Sequence, residues 1–340
     1  MMHKTVFTTD RGAWHQQKAL KSAPKNLDIS MLRNPDKQTL INALREAEFL
    51  ISERSGLIDK EVIQNTPQLR LIQRLGTLVY DIDLKAAADA GVVVCTQPIG
   101  GVIRVAEHLV MQILVLSKKI REAQKIALEA SPQWSQSFRT DEDTFAYNWS
   151  GRTGIGQIWR RTIGIIGFGE IGIEFTRRMI GWGCTLLYNK RTRLPAQVED
   201  DLKVTYVPPE TLYAKSDFLV NLLPFLPGTD MLLNASVFQQ MKTDACLVSC
   251  GSGSTIDEAA LAEAIRAKKL AGAALDTFEY EPIKGDNPLI RAAKDGYNIL
   301  LTPHIAAGSA DQQDQQQDRA SDYSNIVRYI NGEPLEHRVA

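Results

Sequence analysis

The sequence predicts an α/β protein whose main feature is a doubly wound parallel sheet. Short apolar segments alternate with helical patterns along the 340 residues, as they do where parallel strands are joined by helices. One strand-like segment, Thr162 to Ile166, ends at Gly167, Gly169 and Gly172, which open a helix. Because the chain is too long for one ordinary compact core, two domains are expected.

The first third of the chain predicts a small parallel α/β domain of its own. Asn34-Pro35 is interpreted as the start of a helix, with proline at the first helical position. Asp83 is expected to cap a helix that Gly91 ends. The predicted strands are Val6 to Thr8, Phe49 to Ser52, Leu71 to Gln73 and Val92 to Cys95.

Two segments separate this third from the glycine turn. A long helix is predicted from Val102 to Ile120, too apolar to be fully solvated, so it should bridge the domains or pack against another subunit. The segment from Ser131 to Gly156 carries several aromatic residues without a clear period. It is interpreted as a long loop, partly packed, over a dimer partner or over the cleft.

The three glycines predict a Rossmann dinucleotide-binding turn. Gly167 would permit the tight turn, Gly169 the close approach of a pyrophosphate, and Gly172 the packing of helix on strand. A merely structural glycine turn is the alternative. The strand, turn, helix and second strand (Cys184 to Tyr188) occur in the order that favours dinucleotide binding.

The end of that second strand indicates which dinucleotide binds. Asn189 stands where a carboxylate would hold the ribose 2′-hydroxyl of NAD, and it is followed by Lys190, Arg191 and Arg193. These cations could bind a 2′-phosphate, which favours NADP over NAD. Solvated loop charges are the alternative.

Further strands are predicted after the turn, and their carboxyl ends should form one ligand-binding edge. They are Val204 to Val207, Phe218 to Leu223, Ala245 to Ser249, Ala271 to Leu275 and Ile299 to Leu301. The loops that begin at Leu223-Pro224, Cys250-Gly251-Ser252, Asp276 and Pro303-His304 should therefore face the cofactor. A last helical segment, 309–331, is expected to return to the first domain.

Composition excludes several classes of protein. The net charge of −1 gives no indication of a nucleic-acid or membrane partner. No apolar run approaches 18 residues and the N-terminus, Met1-Met2-His3-Lys4, lacks the hydrophobic core of a signal peptide, so a cytoplasmic protein is expected. The four cysteines show neither disulfide nor metal spacing, and no metal site is predicted, even for Cys246 and Cys250.

His304 and Glu281 are the candidates for acid–base chemistry at the ligand edge. A histidine there can exchange a proton with a substrate oxygen while hydride moves to or from a nicotinamide. A neighbouring carboxylate would orient the imidazole and favour its protonated form. A structural histidine is the alternative reading of His304.

These features together resemble the D-isomer-specific 2-hydroxyacid dehydrogenase family. The matching motifs run in family order over nearly the whole chain: Gly76 with Asp81-Ile82-Asp83-Leu84, Val105-Ala106-Glu107-His108, Gly167 to Gly172, Leu223-Pro224 with Thr229, Asp257 to Leu261, Gly272 to Pro282, and Thr302-Pro303-His304. The resemblance implies a discontinuous flavodoxin-like substrate domain, residues 1–117 and 309–340, and a Rossmann domain, residues 118–308. It also implies a small-molecule substrate and a homodimer.

The resemblance also implies roles for individual residues. His304 would be the acid/base, Glu281 its partner, and Asp276 a neighbour of the nicotinamide. Amides around Leu75, Gly76 and Thr77 are expected at the substrate, and Arg54 and Arg104 are added there as a separate hypothesis that the resemblance does not imply. The expected cofactor-binding residues are Val105, Gly167, Gly169, Glu170, Ile171, Gly172, Asn189, Lys190, Arg191, Leu223, Pro224, Thr229, Cys250, Gly251, Asp276, His304 and Ala307.

One position departs from the family pattern. Where members read approximately Asn-x-x-Arg-Gly-x-x-x-Asp-Glu, this chain has Ser249 to Glu258, with Ser252 in place of the arginine. That arginine pairs with the substrate carboxylate, and a serine cannot make a bidentate charged contact. Losing such a contact lowers the rate by roughly 100-fold or more.

Three explanations of Ser252 stay open. Another cation, Arg104 or Arg54, could replace the missing charge, although Arg104 could equally be a surface or interface residue. The substrate could instead be less anionic than a 2-oxoacid. Finally, the chain could be a weakly active or non-catalytic NAD(P)-binding regulatory protein, which the presence of both Glu281 and His304 disfavours.

Overall fold

The computed structural model describes residues 2–53, 56–129, 134, 136–308 and 319–340. Two compact units divide the chain: residues 1–100 with 308–340, and residues 101–307. The first unit is therefore discontinuous. The boundary near residue 100 differs from the predicted one after residue 117, because the helix that follows Gly100 packs with the second unit.

The first unit contains a five-stranded parallel sheet. Its strands are β1 (His3–Thr9), β2 (Leu27–Arg33), β3 (Phe49–Ser52), β4 (Leu71–Leu75) and β5 (Val93–Gln97). They lie in the order β2-β1-β3-β4-β5, which is the flavodoxin-like order. The helices between them are α1 (Ala13–Lys21), α2 (Lys37–Leu44), α3 (Lys60–Gln64) and α4 (Leu84–Asp89).

Alternate residues of these strands bury opposite faces of the sheet. Leu50 and Ile72 belong to one apolar cluster, and their chain neighbours Phe49 and Leu71 belong to another. The period of two follows from the pleat of a strand. Tyr323, buried against the second cluster, donates a hydrogen bond to the Ala19 carbonyl at 2.6 Å, so the end of the chain packs against this unit.

The second unit contains a seven-stranded parallel sheet. Its strands are β6 (Thr162–Ile166), β7 (Thr185–Asn189), β8 (Val204–Tyr206), β9 (Phe218–Asn221), β10 (Cys246–Ser249), β11 (Gly272–Leu275) and β12 (Ile299–Leu301). Its helices are α5 (Gly100–Lys118), α6 (Ile120–Glu129), α7 (Glu170–Met179), α8 (Ala196–Leu202), α9 (Pro209–Lys215), α10 (Ala235–Gln240), α11 (Glu258–Arg266) and α12 (Pro288–Lys294). The last described helix of the chain, α13 (Ser324–Asn331), belongs to the first unit.

The strand order of this sheet, β12-β11-β10-β9-β6-β7-β8, is doubly wound. The order reverses between β6 and β9, and the crevice outside the carboxyl ends of the strands at such a point is where ligands bind. The predicted α/β fold, with its Rossmann sheet and flavodoxin-like sheet, is confirmed.

Helix α5 corrects a second expectation. An 18-residue window of it is long and apolar enough to span a membrane by length and composition, whereas the expectation from the sequence is that no apolar run approaches 18 residues. Core helices meet the same criterion, and α5 makes polar contacts inside the second unit. His108 lies 3.2 Å from Thr302 Oγ1, and the Leu116 carbonyl accepts a hydrogen bond from Asn298 at 3.1 Å.

Some local predictions hold and others do not. Asp83 caps α4, accepting a hydrogen bond from Ala86 N at 2.9 Å. The helix expected at Pro35 begins later, at Lys37, because Asp36 is its cap and accepts from Thr39 N at 2.7 Å. The predicted helix from residue 309 lies partly outside the described residues, as does part of the aromatic loop from Ser131.

Candidate active site

The glycine turn after β6 lies at the point where the strand order reverses. Gly167 has φ +82°, and a Cβ there would lie 2.6 Å from the backbone of Leu222 and Leu223, just after β9. Gly172 packs on the Phe168 ring, 3.0 Å from where its Cβ would be. Gly167 therefore requires glycine for reasons internal to the fold, whereas a side chain at Gly172 would require the Phe168 ring to move.

Gly169 differs, because it faces open space. A Cβ there would meet nothing within 4 Å. Gly169 is the N-cap of α7 and supplies no side-chain cap, so the amides that begin with Glu170 and Ile171 are not capped from that residue. A helix N-terminus whose N-cap residue has no side chain, beside open space at Gly169, fits the pyrophosphate of a dinucleotide.

The end of β7 carries the residues predicted to distinguish NADP from NAD. Asn189, which ends β7 with an amide in place of a carboxylate, donates from Nδ2 to the Val207 carbonyl at 2.8 Å. Lys190 is half-buried, and Arg191 is exposed without a hydrogen-bond or ion-pair partner in the described part of the chain. Arg193, expected to be a third cation here, instead forms a bidentate pair with Glu199 at 2.8 and 2.7 Å.

The loops after β9 and β10 are held against each other at the sheet edge. The Asn221 side chain, fully buried, donates to Ser249 Oγ at 3.1 Å and to Thr255 Oγ1 at 2.9 Å. Gly251 N donates to the Asn221 carbonyl at 3.0 Å. Thr229 Oγ1 donates to the Pro224 carbonyl at 2.7 Å, which fixes the turn after β9. These contacts position the predicted cofactor-binding loops.

Ser252 lies on the loop after β10. Its amide donates to the Leu223 carbonyl at 2.8 Å, while its hydroxyl makes no hydrogen bond to any residue described. The next residue, Gly253, packs so closely that a Cβ would lie 1.9 Å from the Phe278 carbonyl carbon. The backbone at Ser252 is thus fixed by its neighbours, and the serine side chain adds no charge to the edge.

Asp276, after β11, is the buried centre of the edge. Its carboxylate, 1% exposed, accepts hydrogen bonds from Thr302 Oγ1 at 2.6 Å, Ile305 N at 3.0 Å and Ala306 N at 2.9 Å. His304 N donates to the Asp276 carbonyl at 2.8 Å. One acidic residue therefore holds the whole segment that carries His304.

His304 and Glu281 lie in contact, as predicted from the sequence. The distance between His304 Nδ1 and Glu281 Oε2 is 2.6 Å. Phe278 N donates to the other carboxylate oxygen at 3.0 Å, which orients Glu281. The His304 side chain is 59% exposed, so its Nε2 side can be reached by a ligand. His304 also has φ +53°, a strained conformation of the kind that concentrates at functional sites.

Arg104, on the second turn of α5, reaches the same segment. Its Nε donates to the Ala307 carbonyl at 2.9 Å, three residues after His304. Val105, the next residue, is buried. A guanidinium therefore lies near the histidine segment, whereas the second candidate cation, Arg54, lies outside the described residues.

The predicted substrate-binding amides belong to the first unit. Gly76, with φ +107°, follows β4, and Leu75 is buried. Gly76 N donates to the Gln97 carbonyl at 2.9 Å. That amide is therefore already hydrogen-bonded within the first unit.

Sequence reasoning missed a polar cluster on α5. His108 Nε2 lies 3.6 Å from Asp276 Oδ1, and Gln112 Oε1 accepts from Cys250 Sγ at 3.5 Å. Burial lowers the pKa of His108, opposed by the negative Asp276, and burial raises the pKa of the Cys250 thiol. The four-residue spacing of His108 and Gln112 places both on one face of a helix, the only sequence signal that could have indicated the cluster.

Comparison with known proteins places these features in context. A family model described as "D-isomer specific 2-hydroxyacid dehydrogenase, NAD binding domain" matches residues 110–306. The glyoxylate reductase of Korarchaeum cryptofilum is 28% identical over 323 residues, covering 93% of this chain and 91% of that protein. The D-3-phosphoglycerate dehydrogenase of Archaeoglobus fulgidus is 31% identical over 299 residues; the match spans 87% of this chain but only 53% of that longer protein. The crystal structure of the PH0520 protein of Pyrococcus horikoshii, 27% identical, aligns with a TM-score of 0.58, covering 100% of this chain and 95% of that one.

Proposed function

The chain belongs to the D-isomer specific 2-hydroxyacid dehydrogenase family, and on this premise we propose that it interconverts a small 2-oxoacid-like substrate and its 2-hydroxyacid with His304 as acid/base. The observation that carries the proposal is the 2.6 Å contact between His304 Nδ1 and Glu281 Oε2 at the ligand edge of the second sheet. Oxidoreduction dependent on a nicotinamide dinucleotide is what the family implies.

The described residues fit such a dinucleotide. Gly169 and the N-terminus of α7 would hold its pyrophosphate, the end of β7 its adenosine ribose, and the loops after β9 and β10 the remainder. When bound, it supplies or accepts the hydride. The fit rests on the open space at Gly169 and on its position as the N-cap residue of α7.

His304 would move the proton. In reduction, its protonated Nε2 gives a proton to the oxygen that becomes the hydroxyl; in oxidation, the neutral imidazole takes that proton. Glu281 accepts the Nδ1 hydrogen and stabilises the imidazolium, which keeps the reactive nitrogen facing outward. Asp276 acts through the backbone, because its carboxylate holds Ile305 and Ala306.

If the substrate is a 2-oxoacid, a residue other than Ser252 must supply the positive charge that pairs with the substrate carboxylate. Arg104 is the proposed source, since its guanidinium is anchored on Ala307 beside the His304 segment. A neutral ketone or aldehyde would need no such charge. If the substrate is a 2-oxoacid, Arg104 sets the specificity; if it is a neutral carbonyl compound, the uncharged Ser252 side chain does.

NADP is the proposed cofactor. Arg191 is exposed at the end of β7, and Asn189 leaves no carboxylate to repel a 2′-phosphate. The sequence offers three cations for the 2′-phosphate, but one of them, Arg193, is paired with Glu199.

Turnover and binding must be measured together to test the proposal. The protein is assayed on a panel of 2-oxoacids, neutral ketones and aldehydes with NADPH and NADH, and dinucleotide binding is followed by fluorescence. We expect turnover that His304→Asn reduces by roughly 10²- to 10⁴-fold while dinucleotide binding is unchanged. Tight binding without turnover on the whole panel would favour a regulatory protein, and unchanged turnover in His304→Asn would exclude this histidine as the acid/base.

A further inference from the structure

Three segments of the second unit bring metal-binding side chains together beside the candidate active site. His108 from α5, Cys250 from the loop after β10 and Asp276 from the loop after β11 place Nε2, Sγ and a carboxylate oxygen within 4.8 Å of one another. Asp276 is buried and the other two are half-buried. No two of these three residues are near each other in sequence.

A fourth side chain supports a ligand at this place. Gln112, fully buried on α5, accepts a hydrogen bond from the Cys250 thiol through Oε1 at 3.5 Å. Its Nε2 has no hydrogen-bond partner within the described ranges. An unpaired buried amide donor costs free energy, and a half-turn of this amide would bring Nε2 toward a Cys250 thiolate. The thiolate is the form of cysteine that binds a metal.

We propose that His108, Cys250 and Asp276 form a binding site for one borderline-soft divalent cation of the Zn²⁺ type, with Gln112 orienting the thiolate. One nitrogen, one sulfur and one oxygen ligand are the donors that Zn²⁺ accepts. Harder cations such as Mg²⁺ and Ca²⁺ require mostly oxygen ligands and do not match this set. The site departs from the sequence prediction, which contained no metal site.

Coordination requires ligand atoms that now lie within 4.8 Å of one another to move closer together. Zinc–ligand bonds of about 2.0 to 2.3 Å place tetrahedral ligand atoms about 3.5 Å apart. His108 Nε2 and Asp276 Oδ1 already lie 3.6 Å apart, so the movement falls on the cysteine side. Cys250 lies on a loop, where a shift of this size is easier than within a strand.

Cation binding would connect α5 to the segment that carries His304. Asp276 Oδ1 already accepts hydrogen bonds from Thr302 and Ile305, so a cation on this carboxylate would act on the same loop. The inference rests on the ligand set and on Gln112, and not on the proposed catalysis, although Cys250 and Asp276 are also among the residues expected at the cofactor.

Cobalt is a suitable probe because it replaces zinc and absorbs light when bound by a thiolate. The full chain, reduced and freed of metal with a chelator, is titrated with Co²⁺. We expect one equivalent to give visible bands of a tetrahedral site and a thiolate-to-cobalt charge-transfer band, and Zn²⁺ to remove both. Cys250→Ser and His108→Gln should weaken binding by at least about 100-fold, and Gln112→Leu by about 10-fold. Cys184→Ser, a half-buried cysteine outside the cluster, should bind normally.

A second measurement needs no variant and so does not depend on folding of the mutants. In the unaltered protein, Zn²⁺ should protect Cys250 from alkylation without protecting Cys184, as read by peptide mass mapping. Absence of the charge-transfer band, its persistence in Cys250→Ser, or equal alkylation of Cys250 with and without Zn²⁺ would overturn the proposal.

Discussion

His304 Nδ1 lies 2.6 Å from Glu281 Oε2, although 23 positions separate the two residues in the chain. The contact joins the loop after β11 to the loop after β12, and Phe278 N holds the other carboxylate oxygen. Because Nδ1 is directed to the carboxylate, Nε2 is the ring nitrogen that can meet a substrate oxygen. This geometry fixes the division of roles between the two residues.

Replacing Glu281 by glutamine should slow turnover without unfolding the protein. The amide keeps the shape but removes the charge that stabilises the imidazolium, and a hydrogen bond to a charged group is worth about 1.5 to 3 kcal/mol. We expect kcat to fall by roughly 10- to 100-fold, measured across a pH series. Glu279→Gln is the control, since the Glu279 side chain makes no hydrogen bond to the described residues. An unchanged kcat in Glu281→Gln would contradict the assigned role.

Two neighbouring glycines should respond differently to alanine. Gly169→Ala adds a methyl group into open space, so the free energy of unfolding should hardly change while the Kd for the dinucleotide rises at least about 10-fold. Gly167→Ala meets the Leu222 backbone at φ +82° and should destabilise the fold by about 2 to 4 kcal/mol. Urea unfolding and fluorescence titration measure the two effects. Normal dinucleotide binding by Gly169→Ala would argue against a pyrophosphate at this turn.

Arg191 should govern the preference for NADPH over NADH. Since Arg191 is exposed and unpaired within the described residues while Arg193 is held by Glu199, Arg191→Ala should lower the ratio of kcat/KM for NADPH to that for NADH about 10-fold or more. Arg193→Ala should mainly reduce stability and leave this ratio nearly constant. If Arg193→Ala changed the ratio and Arg191→Ala did not, the cation assignment would be reversed.

Restoring an arginine at position 252 should increase activity on anionic substrates. The backbone of this loop is fixed by Leu223 and Phe278, so a longer side chain at Ser252 changes charge more than backbone position. We expect Ser252→Arg to raise kcat/KM for 2-oxoacids by about 100-fold. Ser252→Met, of similar length but uncharged, is the matched control. A similar gain in both variants would mean that side-chain volume, and not charge, was limiting.

Replacing Arg104 should lower kcat/KM only if the substrate is an anion. Arg104→Ala removes the guanidinium that is anchored on Ala307, and the expected result is a kcat/KM for 2-oxoacids about 10-fold lower or more, with no change for neutral carbonyl compounds. Arg104→Lys, which keeps the charge but loses the planar fork, should fall between the two. Unchanged 2-oxoacid turnover in Arg104→Ala would remove this residue from the site.

Strongly patterned elements could be predicted from the sequence, and weakly patterned ones could not. The strand, glycine turn and helix around Gly167 combine an apolar β-branched run with a fixed glycine spacing. Strand β2 was missed because it lies at the sheet edge and most of its residues are partly or fully exposed, so its hydrophobic signal is weak. Helix α1 is hard to predict for the same reason, because Ala19 is its only buried residue.

The sequence by itself determined the parallel α/β fold class, the strand, glycine turn and helix at Gly167, and the expectation that His304 and Glu281 lie together at the ligand edge. Only the tertiary structure decided that Arg193 is paired with Glu199, that Arg104 reaches Ala307, and that His108, Cys250 and Asp276 converge. The physical reason is that local patterns record backbone conformation and burial over a few residues. Contacts between side chains from separate loops and helices depend instead on how those segments pack on the sheet.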